Sequence, residues 1–428
     1  MKLKPTTTGG ARGCVERPTP EVDSARVRVL LVGSGAREHA LAWKLSASSS
    51  LSQLHAAPGN PGIAALGECH PVRPDDGDGL LGLARTVDAD LIVVGPEAPL
   101  VAGVADDLRH AGIAVFGPGA AGARIEGSKT FAKDVMEAAG VPTAARLDVP
   151  RAPCVVKADG LAAGKGVFVC RTPEELAAGI EGASALDEAI VVEELLEGSE
   201  LSLFALCDGR RATFFGLAQD YKRAGDGDTG PNTGGMGAFS PVSILGDPDE
   251  LVARIHQPVI DELARRGAPF VGCLFAGLIL TADGYRVLEF NARFGDPETQ
   301  VLIPRLEGDL LEALAATAAG DAVAGVVRQG AAAAVTVVLT GPDYPERSDY
   351  AGATISGVAA AEASGALVFH GGTATRGERL VTNGGRILSV TALGPSLPEA
   401  RSRAYAAVTK IGFEGARYRT DVAADPPG

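Results

Sequence analysis

A glycine-rich segment is the feature that most restricts how this chain can fold. Residues 155–169 read Val-Val-Lys-Ala-Asp-Gly-Leu-Ala-Ala-Gly-Lys-Gly-Val-Phe-Val, so two runs rich in β-branched residues flank a turn with three glycines. β-branched residues favour strands, and glycine allows backbone N–H groups to approach an anion closely. The pattern predicts a hairpin whose tip covers a phosphate-bearing ligand. A surface hairpin with a loose tip is the alternative.

The distribution of lysine favours the ligand-binding interpretation. The chain has 39 Lys and Arg residues, of which only 9 are Lys, and five of these are Lys129, Lys133, Lys157, Lys165 and Lys222. A compact ammonium group is common at phosphate sites. The net charge of −14 argues against a general nucleic-acid binder. Local positive charge, glycine loops and metal would therefore have to hold an anionic ligand.

The N-terminal region predicts a doubly wound α/β domain. Val27–Val32 has the composition of a buried parallel strand, and it is followed by a glycine turn, Gly33–His39, and a helix through about Ser46. A dinucleotide fingerprint would need glycine in place of Glu38 and an acidic residue within Gln53–Asn60, and both are missing. The turn suits a single phosphate or carboxylate at a helix N-terminus, or serves only the fold.

Two further regions complete the predicted organisation. Asp220–Ala238 is a glycine-rich loop containing Lys222 and Arg223, and its length favours a substrate loop that orders on binding, with disorder as the alternative. From Ala331 onwards, short strands with tight turns and a final helix predict a separate small α+β domain. Within it, Thr382–Arg386 has the composition of a hairpin turn, and we assign it a structural role alone.

A polar row near residue 290 predicts a metal site. Residues two apart in a strand share a face, so Glu289, Asn291 and Arg293 should point the same way. The intervening residues should point into the core: Leu288, Phe290 and Ala292. Carboxylate and amide oxygens suit Mg²⁺, and a neighbouring arginine can stabilise charge on a transferring phosphoryl group. A solvated strand face with an incidental Glu/Arg pair is the alternative.

Composition indicates a cytoplasmic protein. The six cysteines are scattered without metal-ligand spacing, which is typical of a reducing compartment. No apolar run approaches the roughly 18 residues that span a membrane. Residues 1–26 lack the apolar segment of a secretory signal, and we interpret them as a disordered leader or an over-long start. We expect no nucleic-acid or membrane partner, and a monomer or weak dimer.

From Val27 to the C-terminus the chain resembles the ATP-grasp superfamily, and closely its phosphoribosylamine–glycine ligases (glycinamide ribonucleotide synthetases). The resemblance rests on seven segments: Gly35–Ala40, Ala57–Asn60, Val94–Leu100, Glu126–Lys129, Lys157–Val167, Asp228–Gly237 and Glu289–Glu298. It implies ATP-dependent activation of glycine to glycyl phosphate with Mg²⁺ or Mn²⁺. Attack by the amine of 5-phosphoribosylamine would then give glycinamide ribonucleotide, ADP and phosphate in purine biosynthesis.

The resemblance also implies roles for individual residues. Catalysis would fall to Arg293 and Lys157, and metal binding to Glu289 and Asn291. The nucleotide would be held by Lys129, Lys157, Gly160, Gly164, Lys165, Gly166, Glu193, Glu194, Leu195 and Glu200. The other substrates would be held by Gly33, Gly35, Arg37, Glu38, Gly59, Asn60, Pro96, Glu97, Asp220, Lys222, Gly234, Gly235, Met236, Gly237 and Asp296.

The expected fold class is a multidomain combination of α/β and α+β parts. After the leader, we expect an α/β substrate-binding domain at 27–127 and an ATP-grasp region at 128–330. A hairpin lid would occupy about 143–215 within that region. The small α+β domain would occupy 331–428.

The sequence disfavours three other functions. Another ATP-grasp carboxylate–amine ligase is disfavoured by the segments Asp220–Gly237 and Gly95–Leu100, which match the glycine ligase pattern. A non-catalytic nucleotide-binding protein is disfavoured because Lys157 and the polar row are all present. A nicotinamide-dependent oxidoreductase is disfavoured by Glu38.

Overall fold

A computed structural model describes residue 1 and residues 26–162, 166–321 and 323–424 of the chain. Most of the leader predicted for residues 1–26 lies outside the described residues, and so do Gly164 and Lys165 of the predicted lid. In the part of the chain that is described, no helix has the length and apolar character needed to cross a membrane.

The N-terminal domain is a five-stranded parallel sheet flanked by helices. Its strands are β1 (Val27–Gly33), β2 (Leu51–Pro58), β3 (Glu68–Cys69), β4 (Leu91–Val94) and β5 (Ala114–Phe116), in the order β3-β2-β1-β4-β5. Its helices are α1 (Ala36–Leu45), α2 (Pro61–Ala64), α3 (Gly77–Thr86), α4 (Glu97–Val101), α5 (Val104–His110) and α6 (Ala120–Gly127). All four residues of β4 are buried, as expected for a parallel strand covered on both faces. The predicted first strand and helix are confirmed.

The glycine-rich segment forms the predicted hairpin. The elements here are α7 (Lys129–Ala138), β6 (Cys154–Ala158), β7 (Val167–Cys170), α8 (Pro173–Ser184) and β8 (Ile190–Glu194). β6 lies between β7 and β8 and is antiparallel to both, with Lys157 opposite Val167. Ser128 caps α7 by accepting the N–H of Phe131, as the sequence predicts.

An eight-stranded antiparallel sheet connects the rest of the molecule, in the order β15-β14-β9-β10-β13-β18-β23-β20. Its strands are β9 (Ser199–Asp208), β10 (Ala212–Asp220), β13 (Gly237–Ser240), β14 (Val271–Thr281), β15 (Gly284–Asn291), β18 (Ala333–Thr340), β20 (Leu367–His370) and β23 (Arg386–Gly394). Smaller sheets use β11 (Arg223–Gly225), β12 (Thr229–Asn232), β16 (Leu306–Gly308), β17 (Val327–Gln329), β19 (Ala351–Thr354), β21 (Thr373–Arg376) and β22 (Arg379–Asn383). The helices are α9 (Pro248–Arg265), α10 (Thr299–Arg305), α11 (Leu310–Ala319), α12 (Val358–Glu362) and α13 (Leu397–Val408).

Two local predictions need correction. The Asp220–Ala238 loop contains the hairpin β11–β12, in which Arg223 faces Asn232 and tight turn geometry at Gly227 and Asp228 reverses the chain. Thr382–Arg386 is not a hairpin turn, because β22 and β23 belong to different sheets.

The segment Thr382–Arg386 connects two sheets because its glycines permit a close backbone contact. A Cβ on Gly384 would lie 2.9 Å from the Cα of Gly372. The N–H of Asn383 donates to the carbonyl of Gly372. The glycines of this segment therefore mark a place where two stretches of backbone pass close to each other, and not the hairpin turn that the sequence suggested.

The N-terminal sheet and the eight-stranded sheet share hydrophobic cores. One core contains Val93 and Phe116 of the first sheet together with Phe204 of the second and Phe294. The rings of Phe116 and Phe294 stack with centroids 5.6 Å apart. This packing fixes the polar row at 289–293 against the N-terminal domain.

Candidate active site

A cavity of about 1710 Å³ lies between the N-terminal domain, the hairpin and both halves of the eight-stranded sheet. It is larger than a typical site for one small molecule, about 300–1,000 Å³, so it has room for more than one ligand. Most residues predicted for the site line it: Gly35, Arg37, Gly59, Asn60, Pro96, Glu97, Lys129, Lys157, Gly160, Gly166, Glu193, Glu194, Leu195, Glu200, Asp220, Lys222, Gly234, Glu289, Asn291, Arg293 and Asp296.

Two residues of the first glycine turn, Gly33 and Glu38, do not line the cavity, contrary to prediction. One carboxylate oxygen of Glu38 accepts the N–H of Gly35 at 2.7 Å, and the other accepts Nε of Arg37 at 2.6 Å. Gly33 has φ +131°, and a Cβ there would lie 2.5 Å from Cγ of Glu38. The helix N-terminus predicted to hold a substrate anion therefore holds a carboxylate of its own chain.

Three residues of the predicted substrate loop, Gly235, Met236 and Gly237, are also absent from the cavity wall. Gly235 has φ +105°, and a Cβ there would lie 2.3 Å from Cδ of Pro297. Met236 is buried, and a Cβ on Gly237 would approach the carbonyl of Thr336 to 2.7 Å. Gly237 allows β13 to pack closely beside β18, and Gly235 allows the chain to pass close to Pro297. Only Gly234 of this group reaches the cavity.

The polar row at the end of β15 faces the cavity as predicted, with one difference. Glu289 and Asn291 line it, but so does Leu288, which is half-buried and not in the core. The pairing of β14 with β15 skips Leu288, because Gly277 pairs with Glu289 and the next residue pairs with Val287. This irregularity breaks the alternation on which the prediction for Leu288 rested.

The residues of this row fit a hard divalent metal ion. Within the described parts of the chain, no side-chain or backbone donor hydrogen-bonds the carboxylate of Glu289. Oδ1 of Asn291 accepts Nη2 of Arg293 at 3.1 Å, and its second lone pair can bind a further partner such as a metal ion. A carboxylate and an amide two residues apart on one strand provide the oxygen donors that Mg²⁺ prefers.

Lys157 connects the hairpin to the polar row. Its Nζ donates to the carbonyl of Leu288 at 2.9 Å and pairs with a carboxylate oxygen of Glu193 at 2.7 Å. Lys133 pairs with the other oxygen of Glu193 at 3.1 Å. Desolvation lowers the pKa of Lys133, although Glu193 opposes this. The carboxylate of Glu193, predicted to lie at an adenine hinge, therefore positions two lysines.

Lys129 begins α7 and is tied to the turn of the hairpin. Its Nζ donates to the carbonyl of Gly160 at 3.2 Å, and its backbone N–H donates to the carbonyl of Asp159 at 3.0 Å. The Asp159 carboxylate accepts the hydroxyl of Ser128 and the N–H of Thr130. Desolvation lowers the pKa of Lys129, although the charge of Glu289 opposes this. Lys129, Lys157 and Glu289 thus lie on the same wall of the cavity.

Arg293 lies between two carboxylates of the N-terminal domain. Its Nη2 is 2.9 Å from Glu126, and its Nε is 3.2 Å from Glu97. Burial raises the pKa of Glu126 to about 7, although Arg293 opposes this. Desolvation by itself would raise the pKa of Glu97, but the charges of Arg293 and Arg37 outweigh it and lower this pKa to about 2. These two ion pairs fix the guanidinium of Arg293 at the interface between the N-terminal domain and the central sheet.

A second ion-pair group lies on the opposite wall. Nζ of Lys222 pairs with Asp220 at 2.8 Å and with Glu200 at 2.9 Å. Desolvation opposes this charge, but the two carboxylates raise the pKa of Lys222 well above its usual value. Burial raises the pKa of Asp220, and burial together with the charge of Asp220 raises the pKa of Glu298 to about 7.

Sequence reasoning missed Arg386, which the C-terminal half contributes to the cavity. It pairs with Asp296 at 2.7 Å and donates to the backbone carbonyl of Gly234. The phenol of Tyr344 accepts the N–H of Gly234 at 3.0 Å from the same side. Arg386 follows a glycine pair that suggested a turn, so no local signal marked it.

The chain is similar to known proteins over nearly its whole length. Models of the phosphoribosylglycinamide synthetase family match three consecutive parts: the N domain over residues 27–126, the ATP-grasp (A) domain over 127–299 and the C domain over 334–425. Phosphoribosylamine–glycine ligase of Streptomyces coelicolor is 52% identical over 421 aligned residues, covering 94% of this chain and 100% of the relative.

Two solved structures extend the comparison to the fold. The crystal structure of phosphoribosylamine–glycine ligase from Thermotoga maritima is 32% identical with TM-score 0.79, covering 92% of this chain and 100% of that one. The biotin carboxylase domain of 2-oxoglutarate carboxylase from Hydrogenobacter thermophilus is 18% identical with TM-score 0.66, covering 91% of each chain. The second likeness concerns the fold alone.

Proposed function

The chain belongs to the phosphoribosylglycinamide synthetase family, and from that premise we propose how its cavity carries out the reaction. The protein is an ATP-dependent ligase that joins glycine to phosphoribosylamine in purine biosynthesis. The observation that carries the site assignment is the carboxylate of Glu289, which accepts no hydrogen bond from the described residues. It lies beside Asn291, on the same wall as Lys129 and Lys157.

The reaction has two steps. A carboxylate oxygen of glycine attacks the γ-phosphorus of ATP, and the bond to the β–γ bridging oxygen breaks and releases ADP. The amine nitrogen of phosphoribosylamine then attacks the carbonyl carbon of glycyl phosphate. Phosphate leaves with the bonding electrons, and the nitrogen loses a proton. Because the first step joins two anions, the barrier falls when fixed positive charges surround them.

Lys157 and Lys129 are proposed to bind the phosphates of ATP. Each is held by a backbone carbonyl, and Lys157 also by the carboxylate of Glu193, so little reorganisation is needed when a phosphate arrives. A divalent metal ion held by Glu289 and Asn291 would neutralise phosphate charge, with Mg²⁺ proposed and Mn²⁺ as the alternative. The hairpin, with Gly160 and Gly166, is proposed to cover the nucleotide.

Arg293 is proposed to stabilise negative charge on the acyl phosphate and on the tetrahedral adduct. The two carboxylates that bracket it fix its position but also offset its charge. Glu126, with a pKa near 7, is the carboxyl that can be neutral, which leaves Arg293 more positive. The predicted substrate residues that line the cavity are proposed to hold glycine and phosphoribosylamine between the N-terminal loops and the Asp220–Gly234 segment.

The test is ADP release by the purified full-length chain, with phosphoribosylamine generated in situ and each substrate omitted in turn. We expect ADP only when ATP, glycine, phosphoribosylamine and a divalent metal ion are all present. ADP formation that ignores glycine, or that proceeds equally with another amino acid, contradicts the proposal. Metal identity is tested by chelation followed by re-addition of Mg²⁺ or Mn²⁺.

Three statements about the protein in the cell stay predictions. Cytoplasmic location rests on composition, whereas a monomeric or weakly dimeric state is an expectation that composition does not determine. The expectation that its partners are small molecules and not nucleic acid or membranes also rests on composition. Sedimentation of the purified chain at several concentrations would measure the oligomeric state.

A further inference from the structure

A cluster of two histidines and a glutamate lies at the edge of the N-terminal sheet, outside the cavity wall. His55 of β2 and Glu68 of β3 are paired in the parallel register, so their side chains leave the sheet on the same side. His70 is two residues beyond Glu68, and its N–H donates to the carbonyl of Ala56 at 2.8 Å, which continues the strand pairing. Strand alternation therefore places all three on one face.

The ligating atoms of these residues converge. Nδ1 of His55 is 3.1 Å from Nε2 of His70 and 3.7 Å from a carboxylate oxygen of Glu68. One such atom from each residue lies within 4.8 Å of the others. Two ligands about 2.1 Å from a tetrahedral zinc ion are about 3.4 Å apart, a separation that the two measured distances bracket.

We infer that His55, Glu68 and His70, here called the edge triad, bind a divalent transition-metal ion of the Zn²⁺ class. Two imidazole nitrogens and one carboxylate oxygen leave a fourth tetrahedral position for water. The side chain of Glu68 is 69% exposed, so ion and water can enter from solvent. Imidazole ligands favour Zn²⁺, Co²⁺ or Ni²⁺ over Mg²⁺, which separates this site from the polar row in the cavity.

Two details of the edge support this assignment. His55 is buried, so the packing of the sheet holds its ring beside the other two groups. Cys69 lies on the other face of the edge strand, where its thiol is near the carbonyl of Asn60, so sulfur is not part of the triad. The triad is borne by two paired strands, which hold its ligands more rigidly than a loop would.

A simple hydrogen bond between the two histidines is the competing explanation. It accounts for the 3.1 Å contact between ring nitrogens. It assigns no role to the carboxylate of Glu68, which lies across from His55 without a donor closer than 3.7 Å among the described residues. Metal binding gives all three groups one function, and it would tie the edge strand β3 to β2.

The experiment uses the full-length chain freed of metal with a chelator and then titrated with Co²⁺ in excess Mg²⁺. We expect one equivalent of Co²⁺ with the visible absorption of tetrahedral nitrogen and oxygen ligation. His70→Gln and Glu68→Gln should each weaken binding at least ~10-fold. His110→Gln, an exposed histidine on α5, is the matched control and should bind as the unchanged chain does.

Three results would overturn the inference. They are the absence of Co²⁺ binding in the unchanged chain, equal binding by His70→Gln, and a spectrum of thiolate ligation that disappears in Cys69→Ser. Because Glu68 and His70 are not deeply buried, their variants should fold. Ligase activity with Mg²⁺ should stay unchanged in both, which verifies folding and separates this site from the catalytic one.

Discussion

The glycine turn at residues 33–38 and the glycine hairpin at 155–169 are both rich in glycine but have different surroundings. At the first turn, the glycines make room for Glu38, which binds the helix N-terminus and Arg37. At the hairpin, Lys157 and Gly160 line a large cavity. Glycine in the first case permits internal packing, and in the second we propose that it permits approach to a ligand. Changes near the cavity should therefore affect turnover, whereas changes in the turn should affect stability.

The largest effect is expected for Glu289→Gln, opposite the hairpin. The substitution keeps the shape but removes the negative charge proposed to hold the metal ion. Turnover should fall at least ~10³-fold, equivalent to about 4 kcal/mol in the barrier, while the unfolding midpoint stays constant. ADP release and thermal unfolding measure the two quantities. Glu307→Gln, on the exposed β16, is the control, and full turnover in Glu289→Gln would mean that the metal site lies elsewhere.

Lys157→Met should reduce both turnover and the free energy of unfolding. It removes a cation from the cavity and leaves the buried Glu193 with Lys133 alone, which we expect to cost about 3 kcal/mol of stability. Turnover should fall about 10²-fold. Lys133→Met is the matched control, because it removes the other lysine that pairs with Glu193. It leaves the hydrogen bond from Lys157 to the carbonyl of Leu288 in place. Equal losses of turnover in the two variants would remove the special role given to Lys157.

Gly33→Ala and Gly160→Ala compare the two turns directly. At Gly33 the added Cβ meets Glu38 and the backbone has φ +131°, so we expect a loss of about 2–3 kcal/mol in unfolding free energy. At Gly160 the Cβ meets only the carboxylate of Asp187, which accepts the N–H groups of Gly160 and Ala189, so displacing it should cost about 1 kcal/mol. Urea unfolding measures both, and equal destabilisation would contradict the contrast.

The smallest effect concerns His39, in the first turn of α1. Its Nδ1 accepts the N–H of His370, and desolvation lowers its pKa from 6.5 to about 3. A histidine with a lowered folded-state pKa contributes stability that is present above pH 6.5 and is lost as the pH falls towards 3. At pH 5 this loss is about 2 kcal/mol.

The measurement compares His39→Gln with the unchanged chain by urea unfolding at pH 7.5 and pH 5. The variant lacks the titrating group, so the stability difference between the two proteins should shrink at pH 5. His370 and His256 also have lowered pKa values, so they should cause most of the stability loss at pH 5 that remains in both proteins. A difference that stays constant with pH would mean that His39 is not held neutral.

Local patterns in the sequence determined much of this protein. The hairpin, the first strand and helix, the cap at Ser128 and the alternation of Glu289 and Asn291 all follow from properties of adjacent residues. β-branched runs form strands and a serine caps a helix wherever they occur, so these features need no distant partner. The segments that indicated the family are also local, and the family models match the same regions.

Only the tertiary structure determined which charged side chains pair with others in the chain and which face the cavity. Glu38 fills its own turn, Arg293 lies between Glu97 and Glu126, and Arg386 arrives from a strand of the C-terminal half. These partners are far apart in sequence, and they meet because the C-terminal strands extend the central sheet and the N-terminal sheet packs against it. Ionic contacts carry no periodicity, so only the packing of the sheets could show them.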